Sequence, residues 1–173
     1  MLITIVAAAA MAGAMGQMPR AETVVRPLTY VSLEPVPRGR NFDVAVVAEI
    51  QPGFHINANK VLEDYLIPTT VEPDLPKGIR LTEASYPKPL LKKFEFSEQK
   101  MAVYEGSVTI RLKLSAQPDA PLGETKIPVT LRYQACNDTA CLPPVRKNLP
   151  VILQIAPAGT TAQAVNPEIF QKK

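Results

Sequence analysis

The sequence holds one histidine and two cysteines. Those three side chains, His55, Cys136 and Cys141, fall short of the four ligands of a structural zinc site, and their spacing differs from that of a zinc knuckle. Soft thiolates suit copper(I) or zinc, but the reading here is no metal and no cofactor. A serine nucleophile motif, a Gly-rich phosphate loop and a Walker sequence are also missing, which argues against a hydrolase or a nucleotide enzyme. Glu63, Asp64, Glu95 and Glu98 form no recognisable carboxylate pair. The formal net charge is only +3, and the Lys and Arg residues are scattered. Without an aromatic–basic signature there is no reason to expect a nucleic-acid partner. After residue 16 no run approaches the ~20 apolar residues of a membrane span, so none is expected in the mature chain.

Glycine is modest at 8 residues and proline high at 18. That balance favours short strands joined by Pro-containing turns over long helices. A length of 173 residues suggests one domain with tails. Residues 1–16, MLITIVAAAAMAGAMG, carry no charge. Their apolar run from Leu2 to Ala10, followed by Ala12, Gly13, Ala14 and Gly16, resembles the core and cleavage region of a secretory signal peptide, without the usual basic start. We therefore expect an exported protein, periplasmic or secreted. Residues 17–40 read as a polar lead-in, and 157–173 as a flexible tail with a short helical turn near its end.

Between these ends the chain alternates. In NFDVAVVAEI, residues 41–50, Phe42, Val44, Val46, Ala48 and Ile50 share one face. QPG at 51–53 signals a turn. YLIPTTVEP at 65–73 and residues 79–86 read as weaker strands, and 86–106 as a long loop or irregular hairpin. SVTIRLKLSA, 107–116, alternates best. TKIPVTLRYQAC, 125–136, and LPVILQIA, 149–156, complete the set. Seven to nine short strands without a convincing helix predict an all-β, immunoglobulin-like antiparallel sandwich.

Cys136 and Cys141 lie in LRYQACNDTACLPPV with four residues between them. In the chain-entropy model a disulfide closing a loop of about six residues contributes roughly 2 kcal/mol, against about 4.7 for a loop of 100. A bridge serving stability alone belongs between distant strands. In an oxidising compartment the pair closes unless something reduces it. Spacing leaves two readings open: a reversible dithiol, or a hairpin clip in a non-catalytic binding module. Strand parity bears on the choice. Apolar residues of 125–136 occupy the odd positions, so Cys136 shares a face with Thr130, Arg132 and Gln134 and is expected to point away from the core, accessible to a partner. Asn137 and Asp138 favour a turn between the cysteines. A close Asp138 carboxylate raises the pKa of the thiols.

Four segments in order, GFHINANK, YLIPTTVEP, VYEGSVTIRLKL and YQACNDTACLPP, resemble the N-terminal periplasmic domain of the thiol:disulfide interchange protein DsbD. The resemblance covers roughly residues 25–156. Its most specific part is Tyr133, Cys136, the polar spacer, Cys141 and Pro143–Pro144; the spacer is one residue shorter than in the best-known members. The resemblance implies thiol–disulfide exchange with thioredoxin-like redox proteins, with Cys141 attacking and Cys136 resolving. It places the strand of His55 and Asn57 near the cysteines, where an imidazolium stabilises a thiolate. It also implies a shielding cap loop, expected at about Gln99–Gly106 with Met101, Val103 and Tyr104; Val103 stands nearest to the shielding phenylalanine of relatives. The chain ends at Lys173, so the electron donor is expected to be a separate protein.

Overall fold

A computed structural model describes residues 18–171. The expected signal peptide, 1–16, lies outside them. Two four-stranded sheets face each other. In the first the order is Val25–Val31, Asn41–Ile50, Ser107–Ala116, Ile79–Ser85; in the second it is Val36–Pro37, Val145–Ala156, Gly123–Tyr133, Thr70–Pro73. All neighbours are antiparallel except the short parallel pairing of Val36–Pro37 with Val145–Ala156. This is the expected all-β, immunoglobulin-like sandwich.

The core follows from alternation. Val108, Ile110, Leu112 and Leu114 are buried from the first sheet; Ile127, Val129, Leu131 and Tyr133 meet them from the second. At about 25 cal/mol per Å² of apolar surface, such side chains contribute roughly 1.5–3 kcal/mol each. Asn41–Ile50 departs from simple alternation, because Ala45 and Val47 are buried as well. The strand is central, and the helical turn Pro167–Phe170 lies against it.

Both flanks of the described residues are more ordered than expected, and the tail carries the helical turn expected near its end, Pro167–Phe170. The lead-in supplies the strand Val25–Val31, which pairs with Asn41–Ile50 from Val25↔Ile50 to Val31↔Val44. The tail is tied down: Gln163–Ala164 pairs with Leu33–Glu34, Asn166 Nδ2 donates to the Val31 carbonyl, and Arg111 Nη2 donates to that of Ile169. YLIPTTVEP yields strand only at Thr70–Pro73. Residues 86–106 form a hairpin, Leu90–Lys93 against Lys100–Tyr104, with a loop from Phe94 to Gln99.

A third sheet positions the cysteines. Its order is Ala135–Cys136, His55–Asn57, Lys100–Tyr104, Leu90–Lys93. It grows from strand ends of both main sheets. Asn41–Ile50 turns at Gly53, whose φ of +80° suits glycine, and re-enters as His55–Asn57. Gly123–Tyr133 breaks at Gln134 and resumes at Ala135.

Candidate functional site

Cross-strand partners share a face of a sheet. In the third sheet Ala135, Ile56 and Tyr104 align and join the main core. The opposite face carries Cys136 beside His55, and Asn57 beside Val103. Met101 lies two residues from Val103 on that face. Met101 and Val103 pack with Leu66 and Phe94 in a second, separate apolar cluster.

This arrangement corrects the exposure inferred for Cys136. Parity holds, since Cys136 leaves the core face that Tyr133 and Ala135 occupy. The face it turns to is covered, however, and Cys136 is 0% exposed. Cys141 is exposed. The two form a disulfide with a Cα–Cα separation of 3.9 Å. Hydrogen bonds from Leu142 N to Ala135 O and from Asn137 N to Ala140 O flank them, so they occupy a non-hydrogen-bonded pair of a tight hairpin, where strands approach most closely. Asn137 holds the turn, its Oδ1 accepting from Ala140 N at 2.8 Å and Thr139 N at 3.0 Å. Asp138 is exposed on that loop.

His55 stacks on Phe94, with ring centroids 4.1 Å apart and planes 16° from parallel. Phe96 stacks on Phe94 as well, with centroids 5.5 Å apart. The imidazole is 2% exposed, and burial lowers its pKa from 6.5, outweighing the nearby carboxylates Glu105 and Asp138. The imidazolium expected beside the thiols is therefore disfavoured: His55 is neutral near pH 7. Its Nε2 is buried without a hydrogen-bond partner, and so is Asn57 Oδ1. A buried polar atom left this way costs about 1–3 kcal/mol. Asn57 Nδ2 donates to Ile67 O at 3.0 Å and is 3.5 Å from Gln134 Oε1.

The lowered pKa sets a pH dependence. Above about pH 6.5 His55 is neutral in both folded and unfolded chains and contributes no slope. As the pH falls below 6.5 the unfolded chain takes a proton that the folded one resists, so stability is lost down to the folded pKa. Urea midpoints between pH 7.5 and 5 should fall more steeply for the wild type than for His55→Gln. Equal slopes would mean that the buried imidazole titrates ordinarily.

Met101, Val103 and Tyr104 do not sit in a loop. They belong to the strand Lys100–Tyr104, and alternation sends Tyr104 to the main core, where its hydroxyl donates to Asn59 Oδ1 at 2.7 Å. The irregular stretch lies earlier, at Phe94–Gln99, and Phe94 is the aromatic against His55. Sequence reasoning missed Phe94, Phe96 and Leu66; the aromatic pair in FEF, isolated in a stretch without period, was the available signal. Tyr133 is also in the main core, donating to Ala21 O at 3.2 Å, with its pKa pushed up to about 12 by burial and then by the Glu22 charge. Beside the hairpin a cleft of about 430 Å³ is lined by His55, Phe54, Lys92, Glu105, Gly106 and Asp138, among others. Lys92 and Glu105 form an ion pair across it at 2.6 Å.

The site is thus a β-sandwich edge whose hairpin disulfide couples one buried and one exposed cysteine. The family described as "Thiol:disulfide interchange protein DsbD, N-terminal" matches residues 22–152, and the chain belongs to it. Similar solved structures include the DsbD N-terminal domain of Neisseria meningitidis in the reduced form, at 19% identity over 83% of this chain and 91% of that one, TM-score 0.47. A second is the complex between the DsbD N-terminal and PilB N-terminal domains of the same organism, at 18% identity, 78% and 87% coverage, TM-score 0.49. A third is the N-terminal periplasmic domain of ScsB from Proteus mirabilis, at 9% identity and TM-score 0.51; the match takes in 81% of this chain and 49% of that one, and it extends to the fold. No curated protein matches the sequence. Among the described residues no helix is long and apolar enough to cross a membrane.

Proposed function

We propose that this domain is a periplasmic thiol–disulfide exchange module, passing electrons from a thioredoxin-like donor to exported proteins through Cys136 and Cys141. One observation carries the reading: the disulfide pairs an exposed Cys141 with a Cys136 that is 0% exposed. A donor thiolate reaches only the outer sulfur. Attack on Cys141 forms the mixed disulfide and releases Cys136; the donor's second thiol then frees Cys141. In the forward step Cys141 attacks the acceptor's disulfide, and Cys136 resolves the mixed disulfide. The chemistry needs no diffusible cofactor. Phe94, stacked on the ring in register with Cys136, serves as the shield, in place of Val103, which stood nearest to the shielding phenylalanine of relatives in sequence.

The test is the reduction potential of the pair, by equilibration of the purified protein in glutathione or dithiothreitol buffers with thiol trapping. An exchange site should fall within about −270 to −180 mV and keep its fold when reduced. A value below about −300 mV, or loss of fold on reduction, assigns the bridge to structure and the domain to non-catalytic binding.

A further inference from the structure

The exchange reading leaves one buried group unused. His55 is the cross-strand neighbour of Cys136, and the two share a face of the third sheet. The ring is held flat against Phe94 and cannot turn freely. It lines the cleft beside the disulfide hairpin, yet its Nε2 is buried without a hydrogen-bond partner. Asn57 Oδ1, two residues along the same strand and face, has no partner either. Oδ1 is an acceptor, and Nε2 is one in the Nδ1–H tautomer; both suit a state other than the disulfide, one in which a proton has arrived. Opening the Cys136–Cys141 bond creates such a donor, the Cys136 thiol, on that face.

From this placement, and resting on the exchange reading above, we infer that His55 is the proton relay of the buried sulfur. In the resolving step Nε2 takes the proton from the Cys136 thiol. The sulfur then attacks Cys141 Sγ, the intramolecular disulfide forms, and the bond from Cys141 to the partner's sulfur breaks. The partner's cysteine leaves as a thiolate and receives that proton through the cleft. In the reverse direction Cys136 leaves as a thiolate and takes its proton from the ring. A neutral imidazole suits this work, because it accepts a proton at neutral pH where an imidazolium has none to take. Burial keeps it neutral. The charged groups around it come from three places: Glu105 after the Lys100–Tyr104 strand, Lys92 on the neighbouring strand, and Asp138 in the disulfide loop. The two carboxylates favour the proton's brief stay on the ring, and Lys92, drawn to Glu105, opposes it.

The test mixes reduced protein with oxidised glutathione and follows two events by acid quench and mass spectrometry. The first is formation of the glutathione mixed disulfide; the second is its resolution by Cys136. Wild type, His55→Phe and His55→Gln are compared from pH 5 to 9. Phe keeps a ring to stack on Phe94, and Gln keeps a polar amide; neither titrates, and Gln serves if Phe disturbs folding. Resolution at pH 7 should slow roughly tenfold to a hundredfold in both variants, with mixed-disulfide formation little changed. The wild-type resolution rate should level off above an inflection below pH 6.5, whereas in the variants it should keep rising with pH. Unchanged resolution overturns the relay, and so does slowed resolution with the wild-type pH profile, since packing alone explains that. A wild type that neither forms the mixed disulfide nor becomes oxidised to the Cys136–Cys141 disulfide overturns the exchange reading itself.

Discussion

Reduced Cys136→Ser protein, which keeps Cys141, should react with iodoacetamide about a hundredfold faster than Cys141→Ser protein, which keeps Cys136. Two effects multiply. The first is access. Cys141 is exposed on its hairpin, whereas Cys136 is 0% exposed and reacts only when the covering segment opens. The second is ionisation. The thiolate is the reactive form, and burial opposes its charge. Each unit by which a thiol pKa rises above neutral pH removes about tenfold of the thiolate. The neighbouring His55, held uncharged by its own burial, supplies no standing positive charge to stabilise the thiolate. Cys141 lacks that burial, although Asp138, three residues away on the loop, holds a carboxylate near the hairpin. Mass spectrometry of timed aliquots at pH 7 measures both rates. Comparable rates, or a faster Cys136→Ser/Cys141→Ser reversal, would move the attacking role to Cys136 and undo the order of steps proposed above.

The sandwich was legible because its strands are half-buried. Ser107–Ala116 alternates in sequence and alternates in burial, residue for residue. Asn41–Ile50 was found at its bounds, but its second buried face was not; a turn more than a hundred residues later, Pro167–Phe170, lies against the strand. The closing strand was read from residue 149 and begins at Val145. Val145 pairs with Tyr133, and the partner strand extends it through the polar RKN that looked like a connector. Val25–Val31 was hidden for a similar reason: its residues are mostly half-exposed and form strand because Asn41–Ile50 offers a long edge.

The site was legible in its sulfur chemistry and not in its cover. Parity placed Cys136 on the face opposite Tyr133, and the structure agrees. Exposure does not follow from parity, because it depends on what packs there. On that face Leu66 and Phe94, far from the cysteines in sequence and lying in stretches without period, pack with Met101 and Val103, and Phe94 stacks on His55. No local pattern encodes that contact. The cap expected around Val103 is displaced for a related reason. Lys100–Val103 pairs with Leu90–Lys93, and Val103 and Tyr104 pair with His55–Asn57 on the other side, so the segment is strand and the loop falls at Phe94–Gln99 instead.

Phe94→Ala should speed reduction of the disulfide by dithiothreitol about tenfold or more while leaving the main core folded. Truncating a buried phenylalanine costs about 3–5 kcal/mol where the surroundings are rigid. Here the loss falls on a small cluster, Leu66, Met101 and Val103, that is separate from the core of the two main sheets. The free energy therefore comes mostly from local opening. Hydrogen exchange should show it: protection of the Lys100–Tyr104 amides should fall, and that of Ser107–Ala116 should persist. His55 loses its stacking partner as well, so water reaches Nε2 and the face that Cys136 shares. Reduction accelerates because the reducing thiol meets an open hairpin and the departing Cys136 sulfur meets solvent that can protonate it. Global thermal stability should drop less than a core truncation such as Leu112→Ala lowers it, since Leu112 lies in the central cluster. An unchanged reduction rate with lost protection would show that Phe94 supports the hairpin without shielding the disulfide, and the cover would then have to be sought in Leu66 and Met101.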